Sequence, residues 1–141
     1  MMNRIAVALI SVVCGTAFGL GASRHLLAQS AGAGYSTEML VRQDLQNLPG
    51  QEALVFSSTW APGARLPMHI HPKGHEFTLV IEGEQTFHYA GGVVKTVKAG
   101  EVLYTPPNVP HFGENATDKP SKTIVFRIKE KSQPIAVDVN Q

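Results

Sequence analysis

The sequence predicts a single all-β domain. From residue 39 onward, glycine, proline and asparagine recur every few residues, and the runs between them are rich in Val, Ile, Phe and Thr. Short β-branched and aromatic runs between frequent turn signals are typical of β-sandwiches and β-barrels. No long segment has helical periodicity. At 141 residues, the chain is long enough for one compact domain.

Nine strands are expected in the predicted barrel, residues 39–130. In chain order they are Met39–Gln43, Ala53–Trp60, Met68–His71, Glu76–Glu82, Gln85–Tyr89, Val93–Val97, Glu101–Thr105, Val109–Gly113 and Thr123–Lys129. The run from Phe77 to Ile81 is almost entirely apolar or β-branched, which predicts a strand buried on both faces. Residues 31–38 begin with small side chains and are expected to be a flexible leader. Residues 131–141 form a polar tail that is expected to lie on the surface.

Residues 1–30 have the layout of a secretory signal peptide. Arg4 precedes an uncharged run from Ile5 to Gly21, and small residues at Ala28 and Ser30 suit cleavage before residue 31. This layout predicts an exported protein, periplasmic or secreted. An uncleaved membrane anchor is the alternative, because the apolar run approaches spanning length. Lipidation at Cys14 is a third reading, although Val13 stands where a small residue is normally needed.

Composition excludes several classes of function. The formal net charge is +1, from 12 basic and 11 acidic residues, which does not give the basic surface that nucleic-acid binding requires. The cysteine at position 14 is the only one in the sequence, so its removal with the signal peptide would leave no disulfide and no thiolate. A metal in the mature chain would then have nitrogen and oxygen ligands.

Three histidines and one glutamate form a candidate metal site. His69 and His71 lie two residues apart on a predicted strand, so both side chains point to the same face. Glu76 opens the next strand, and His111 comes from a later segment. Imidazole and carboxylate ligands suit Fe, Mn, Ni, Co, Cu or Zn better than Ca or Mg. The His-x-His pair alone is a weak signal, because such pairs are common by chance.

Two spaced motifs give the candidate site its context. The first reads Gly63, five residues, His69, one residue, His71, four residues, Glu76, six residues and Gly83. The second reads Gly100, five residues, Pro106, one residue, Asn108, two residues, His111, three residues and Asn115. Together they resemble the two motifs of the cupin superfamily. Asn108 replaces the usual glycine, a mild change because asparagine tolerates positive φ.

The resemblance implies a double-stranded β-helix, or jelly-roll, barrel that encloses one divalent transition-metal ion. It implies His69, His71, Glu76 and His111 as the metal ligands, with Glu76 also the candidate catalytic base. His75 would replace Glu76 only if the strand were bulged there, because adjacent residues of a regular strand face opposite sides. A homodimer is expected as well, since exposed strand edges need cover.

The functional expectation is a metal-dependent enzyme that acts on a small organic molecule, with dioxygenase-like chemistry as its leading form. The alternative is a non-catalytic protein that uses the metal to bind a carboxylate or sugar-like ligand. A third possibility is a purely structural metal. The expected partner is thus a small molecule, with membrane contact only through an uncleaved N-terminal segment.

Overall fold

The computed structural model describes residues 33–139, so the predicted signal peptide lies outside the described residues. The described part forms ten strands and no helix that could span a membrane. The strands are β1 Tyr35–Asp44, β2 Gln51–Trp60, β3 His69–Ile70, β4 His75–Glu82, β5 Glu84–Tyr89, β6 Val94–Lys98, β7 Val102–Thr105, β8 His111–Glu114, β9 Ser121–Glu130 and β10 Val137–Asp138.

The strands form two five-stranded sheets. The first sheet has the order β1-β2-β9-β4-β7, and the second has the order β10-β3-β8-β5-β6. Their ladders are antiparallel throughout, and β2 pairs with β9 along its full length, from Gln51 opposite Glu130 to Trp60 opposite Ser121. From β2 to β10 the chain crosses from one sheet to the other at every connection except the one between β5 and β6. This arrangement confirms the predicted all-β jelly roll.

All nine predicted strands occur, with shifted ends. β1 begins at Tyr35, so residues 35–38 of the predicted leader pair with β2 instead of lying free. β3 ends at Ile70 and leaves His71 immediately beyond it. The tail contains a strand that the sequence did not predict, because β10 is only two residues long and pairs with β3. The tail is therefore tied to the strand that carries His69.

The barrel interior mixes apolar and polar side chains. Its apolar part consists of three small clusters of buried residues: Val80, Phe87, Val97 and Leu103; Leu54, Phe56 and Val125; and Trp60, Ala64 and Leu66. The prediction that residues 77–81 are buried on both faces is wrong. Phe77 and Ile81 are 38% and 43% exposed, whereas Val80 is fully buried. The reason is that the second sheet covers only the inner face of β4.

Asn108 takes the backbone conformation expected of the glycine it replaces. Its φ is 61°, within the left-handed region that asparagine tolerates better than most residues. Its amide N–H donates to the carbonyl of His71 at 3.1 Å, and its Oδ1 accepts from the amide of Lys73 at 3.4 Å. Asn108 thus fixes the turn that follows the two N-terminal site histidines.

A buried ion pair lies on the inner face of the first sheet. Glu52 is fully buried and accepts from Nζ of Lys129 at 2.8 Å and from Nε of Arg42 at 2.8 Å. Burial opposes ionisation of Glu52, but the hydrogen bonds from Lys129 and Arg42 outweigh it and lower the pKa of the carboxyl below 4.5. The ionised carboxylate is therefore the form that stabilises the folded chain.

We predict that Glu52→Gln lowers the free energy of unfolding at pH 7 by roughly 3 kcal/mol, because Lys129 is left buried without a counter-charge. The pKa of Glu52 is lower in the folded state than in the unfolded state. The ionised carboxylate therefore makes its full contribution to the free energy of unfolding above the unfolded-state pKa, and this contribution is lost as the pH falls through the folded-state pKa. The stability difference between wild type and variant should therefore shrink at acid pH. Urea unfolding at pH 7 and pH 3.5 measures it, and a constant difference would contradict the prediction.

Candidate metal centre

Three buried histidines meet inside the barrel. β3 and β8 are paired with His69 directly opposite His111, and His71 follows β3 from the same side. Their ring centroids are 4.6–5.1 Å apart, and each residue is 3% exposed or less. The potential ligand atoms all lie within 4.8 Å of one another. The structure thus brings together three of the four predicted ligands as one compact cluster.

Each ring is held by a backbone carbonyl. Nδ1 of His69 donates to the carbonyl of Pro67 at 2.8 Å, and Nδ1 of His111 donates to that of Val109 at 2.9 Å. Nδ1 of His71 donates to the carbonyl of Ile135 at 2.7 Å. Because a carbonyl only accepts, the proton of each neutral ring is on Nδ1 and the lone pair is on Nε2.

The neutral histidine rings bring several nitrogen lone pairs close together. Burial, followed by the neighbouring histidines, lowers the pKa of His69 to about 3, and burial also lowers the pKa of His71. Both rings are therefore neutral at pH 7. Nε2 of His71 and Nε2 of His111 are buried and have no hydrogen-bond partner within residues 33–139. Buried nitrogens normally have partners, and a cation would supply one here.

Glu76 borders the histidine cluster from β4. Its Oε2 lies 2.9 Å from Nε2 of His71, and its Oε1 lies 3.7 Å from Nε2 of His111. With the imidazole proton on Nδ1, the shorter contact sets two lone pairs against each other. A divalent transition metal would relieve this repulsion, and neutral imidazoles with a carboxylate are ligands that such metals accept. The donor set therefore fits a metal ion.

The Glu76 carboxylate also has a cationic partner, Arg127 of β9. Nε and Nη2 of Arg127 lie 2.7 Å and 2.6 Å from Oε2. Burial would raise the pKa of Glu76, but the guanidinium holds it well below its ordinary value. Oε1 has only a long contact of 3.4 Å with the Thr78 hydroxyl besides His111, so the oxygen that Arg127 does not contact lies on the side of His111.

A small cavity of about 30 Å³ lies against this cluster. It has room for roughly two water molecules. Its ionisable lining includes His69, Glu76, His111 and Arg127, and the hydroxyl residues Tyr35, Thr78 and Thr123 also line it. Its apolar lining includes Trp60, Leu66, Phe87 and Val125. The site therefore adjoins a confined space in which a cation, a carboxylate and a guanidinium would be close together.

The strand parity predicted for β4 is confirmed. Glu76 is buried, whereas His75 is exposed and accepts from or donates to the Tyr104 hydroxyl at 2.8 Å on the outside of the barrel. The sequence did not single out Arg127, nor Ile135, whose carbonyl orients His71 from the tail. The alternation of β9 gave a weak signal for Arg127, because Thr123, Val125 and Arg127 share one face.

Comparison with known proteins decides the family. The model of the Cupin domain family matches residues 56–127, which is just over half of the chain. The chain is a cupin. Its matched region begins in β2 and ends at Arg127, and it contains all three clustered histidines as well as Glu76.

Curated relatives and solved structures are similar to this cupin. Germin-like protein 1-1 of Oryza sativa is 35% identical over 88 residues, covering 57% of this chain and 41% of its own. Oxalate oxidase GF-3.8 of Triticum aestivum is 31% identical over 88 residues, covering 55% and 39%. The chain thus spans about two fifths of the length of these relatives.

Among solved structures, a double-stranded β-helix protein from Klebsiella pneumoniae has a TM-score of 0.63 at 19% identity, covering 77% of this chain and 87% of its own. Oxalate oxidase in complex with glycolate has a TM-score of 0.57 at 24% identity, covering 75% and 55%. At these identities the structural likeness supports the fold.

We predict that Mn²⁺ or Zn²⁺, at a free metal concentration about 100 times its Kd, raises the melting temperature of this cupin by about 10 °C. This shift corresponds to about 2.7 kcal/mol of added free energy of unfolding. His111→Ala should abolish the metal-induced shift, because it removes one of three convergent nitrogens. His88→Ala is the matched control, since His88 bonds Glu114 at 2.7 Å outside the cluster. Thermal scans with metal and with chelator measure the shift; an equal shift in His111→Ala would refute the site.

Proposed function

We propose that this cupin is a metal-dependent enzyme, an oxygenase or a related type, that acts on a small organic acid. The observation that carries the proposal is the convergence of three buried histidine nitrogens beside a carboxylate, an arginine and a small cavity. Such a cluster has little structural purpose without a cation, and the cavity provides space for a ligand next to it.

In this proposal, His69, His71 and His111 hold the metal through Nε2, and Oε1 of Glu76 is the fourth ligand. A bound divalent metal would act as a Lewis acid, would orient the substrate and, if redox-active, would activate oxygen. Four protein ligands would leave two positions of an octahedral ion for substrate or oxygen. The carbonyls bonded to Nδ1 fix each ring in the ligating tautomer.

Arg127 supports a substrate with a carboxylate group. Its guanidinium has five N–H donors, two of which face Oε2 of Glu76, and it lines the cavity. Arginine pairs well with planar carboxylates through parallel hydrogen bonds. The small cavity favours an acid of few heavy atoms. The related oxalate oxidases carry the name of such an acid, and one was solved with another, glycolate.

Glu76 is better suited to ligation than to proton transfer. A general base works best when its pKa is near the working pH. Arg127 lowers the pKa of Glu76 and so moves it away from neutral pH. We therefore assign Glu76 the ligand role first. A proton released in the reaction would then go to water, and Arg127 would stabilise the negative charge of the substrate carboxylate.

The second candidate function is metal-dependent binding of a small acid without turnover. The weak basicity of Glu76 favours it, because the other polar groups lining the cavity are proposed ligands, Arg127 and the hydroxyls of Tyr35, Thr78 and Thr123, and a neutral hydroxyl is a poor general base. Both candidates share the metal and the carboxylate-binding residue. They differ only in whether the bound acid is chemically changed.

Oxygen uptake and product analysis distinguish the two functions. Protein loaded with Fe²⁺ or Mn²⁺ is incubated in air with one- and two-carbon carboxylic, hydroxy, oxo and dicarboxylic acids, while dissolved oxygen and recovered acid are measured. We expect uptake with at least one acid, and none with His111→Ala. Tight binding of an acid that is recovered unchanged would favour the binding protein. Neither uptake nor binding would contradict both functions.

We predict that Arg127→Met weakens the apparent affinity for the acid by 10- to 100-fold, the loss expected for a charge-assisted hydrogen bond. Arg127→Lys should restore part of it, because the charge is kept and the paired donors are not. The primary amide of the same acid is the control ligand and should bind both variants like wild type. Calorimetric titration of metal-loaded protein measures this; an equal loss for acid and amide would contradict the role of Arg127.

Export of this cupin remains a proposal that rests on the N-terminal pattern of Arg4, the apolar run and the small residues before position 31. An exported protein would take its metal in a compartment outside the cytoplasm. Mass spectrometry of the chain recovered from the cell envelope tests this, since cleavage after Ser30 would give a chain that begins at Ala31.

A further inference from the structure

The C-terminal segment of the described chain returns to the metal centre after β9. Residues 131–139 contain β10, which pairs with β3 and places Asp138 opposite His69. At the end of this segment, the amide of Val139 donates to the carbonyl of Met68 at 2.9 Å. We call residues 131–139 the strap. The strap therefore lies along the strand that carries the first site histidine.

The strap orients one of the three site histidines. Nδ1 of His71 donates to the carbonyl of Ile135 at 2.7 Å, across 64 residues of sequence. The other two histidines donate to the carbonyls of Pro67 and Val109, each of which lies two residues before its own histidine. These local partners are present whenever β3 and β8 form. The partner of His71 is present only when the strap is docked.

The His71 ring depends on this one carbonyl for its orientation. His71 follows the two-residue strand β3 and precedes a turn in which Lys73 has a φ of 50°. The hydrogen bond from the amide of Asn108 holds the backbone of His71 and not its ring. Within residues 33–139, the carbonyl of Ile135 is the only acceptor for the Nδ1–H group. The strap thus decides where Nε2 of His71 points.

The contacts that dock the strap are few. β10 is a two-residue strand at the edge of the second sheet, and Val137 within it is 40% exposed. The apolar anchor of the strap is Ile135, which packs against the cluster of Leu54, Phe56 and Val125. Short edge elements with few buried contacts open at a lower free energy than the core of a domain. The strap can therefore open while the rest of the barrel stays folded.

We propose that the strap completes the metal centre and controls how tightly the metal is held. This inference rests on the metal site proposed above. With the strap docked, His71 would present Nε2 to the metal. With the strap open, its ring would lose the group that orients it, and such partners typically change metal affinity by about 10- to 100-fold. Because coupling between two binding events is reciprocal, a bound metal would hold the strap in place by the same factor.

Hydrogen exchange of the intact protein, with Zn²⁺ as the probe, tests this coupling. Saturating Zn²⁺ should slow exchange of the Val139 amide by about 10- to 100-fold, because metal-bound His71 would keep the strap closed. The control is the amide of Ala99, which donates to the carbonyl of Gly83 at 3.1 Å just beyond β6, at the opposite edge of the same sheet. Its exchange rate should not change.

A full-length variant measures the same coupling from the side of the metal. Ile135→Gly, Val137→Gly and Val139→Gly together remove the anchor and the β-branched residues of the strap, so the strap should stay open. The Kd for Zn²⁺, measured by competition with a chelator, should rise by about 10- to 100-fold. Val93→Gly with Val94→Gly is the matched control at the opposite edge of the sheet, where both valines are 53% exposed, and its Kd should equal that of wild type.

Nitrogen-15 spectra of the metal-free histidine rings identify the cause of the change. In the strap variant, His71 alone should lose its preference for a proton on Nδ1, because the other two rings keep their local carbonyls. Circular dichroism checks that the variant is folded, and if it is not, the exchange rates of wild type decide. A folded strap variant with wild-type Kd, or a Val139 amide that does not respond to Zn²⁺, overturns the strap and leaves the metal site in place. A wild type that binds no Zn²⁺ overturns both.

Discussion

The structure depends on one electrostatic constraint: three imidazole rings face one another beside an ionised carboxylate in a buried space, and the Nε2 atoms of His71 and His111 have no hydrogen-bond partner within residues 33–139. Lone pairs at such distances repel, and only a cation gives them a common partner. Backbone groups hold the three histidines in place. β3 pairs with β8, and each Nδ1 donates a hydrogen bond to a backbone carbonyl. The fold thus preorganises a site that a cation would complete electrostatically.

This constraint shapes the rest of the barrel. Because the centre contains histidines, Glu76 and Arg127, the apolar core is divided into three small clusters around it. The inner face of the first sheet also contains the Glu52–Lys129 pair. Polar groups inside must be paired, and here nearly every one is. The strands of the first sheet then carry much of their apolar surface on the face that points away from the barrel interior.

The sequence was sufficient for the fold class and for the site residues with characteristic spacing. His69, His71, Glu76 and His111 were identifiable because turn residues such as Gly63 and Gly83 fix their positions. Arg127 was not, because the hydrophobic pattern of β9 is misleading: Ile124, Phe126 and Ile128 mark the wrong side as the core. Ile135 was missed for another reason. It acts through its backbone carbonyl, which no side-chain pattern reports.

The Arg127–Glu76 pair lies between the proposed metal site and the cavity. Both nitrogens of the guanidinium that contact Glu76 converge on Oε2, which turns Oε1 toward His111. A cation and the arginine can therefore share one carboxylate, one at each oxygen. The remaining donors of Arg127 lie beside the cavity, where an incoming carboxylate could use them. An acid small enough for this space would meet a metal on one side and a guanidinium on the other, whereas a neutral molecule would gain only the metal. The proposed selectivity for small acids would thus rest on the same ion pair that keeps Glu76 ionised.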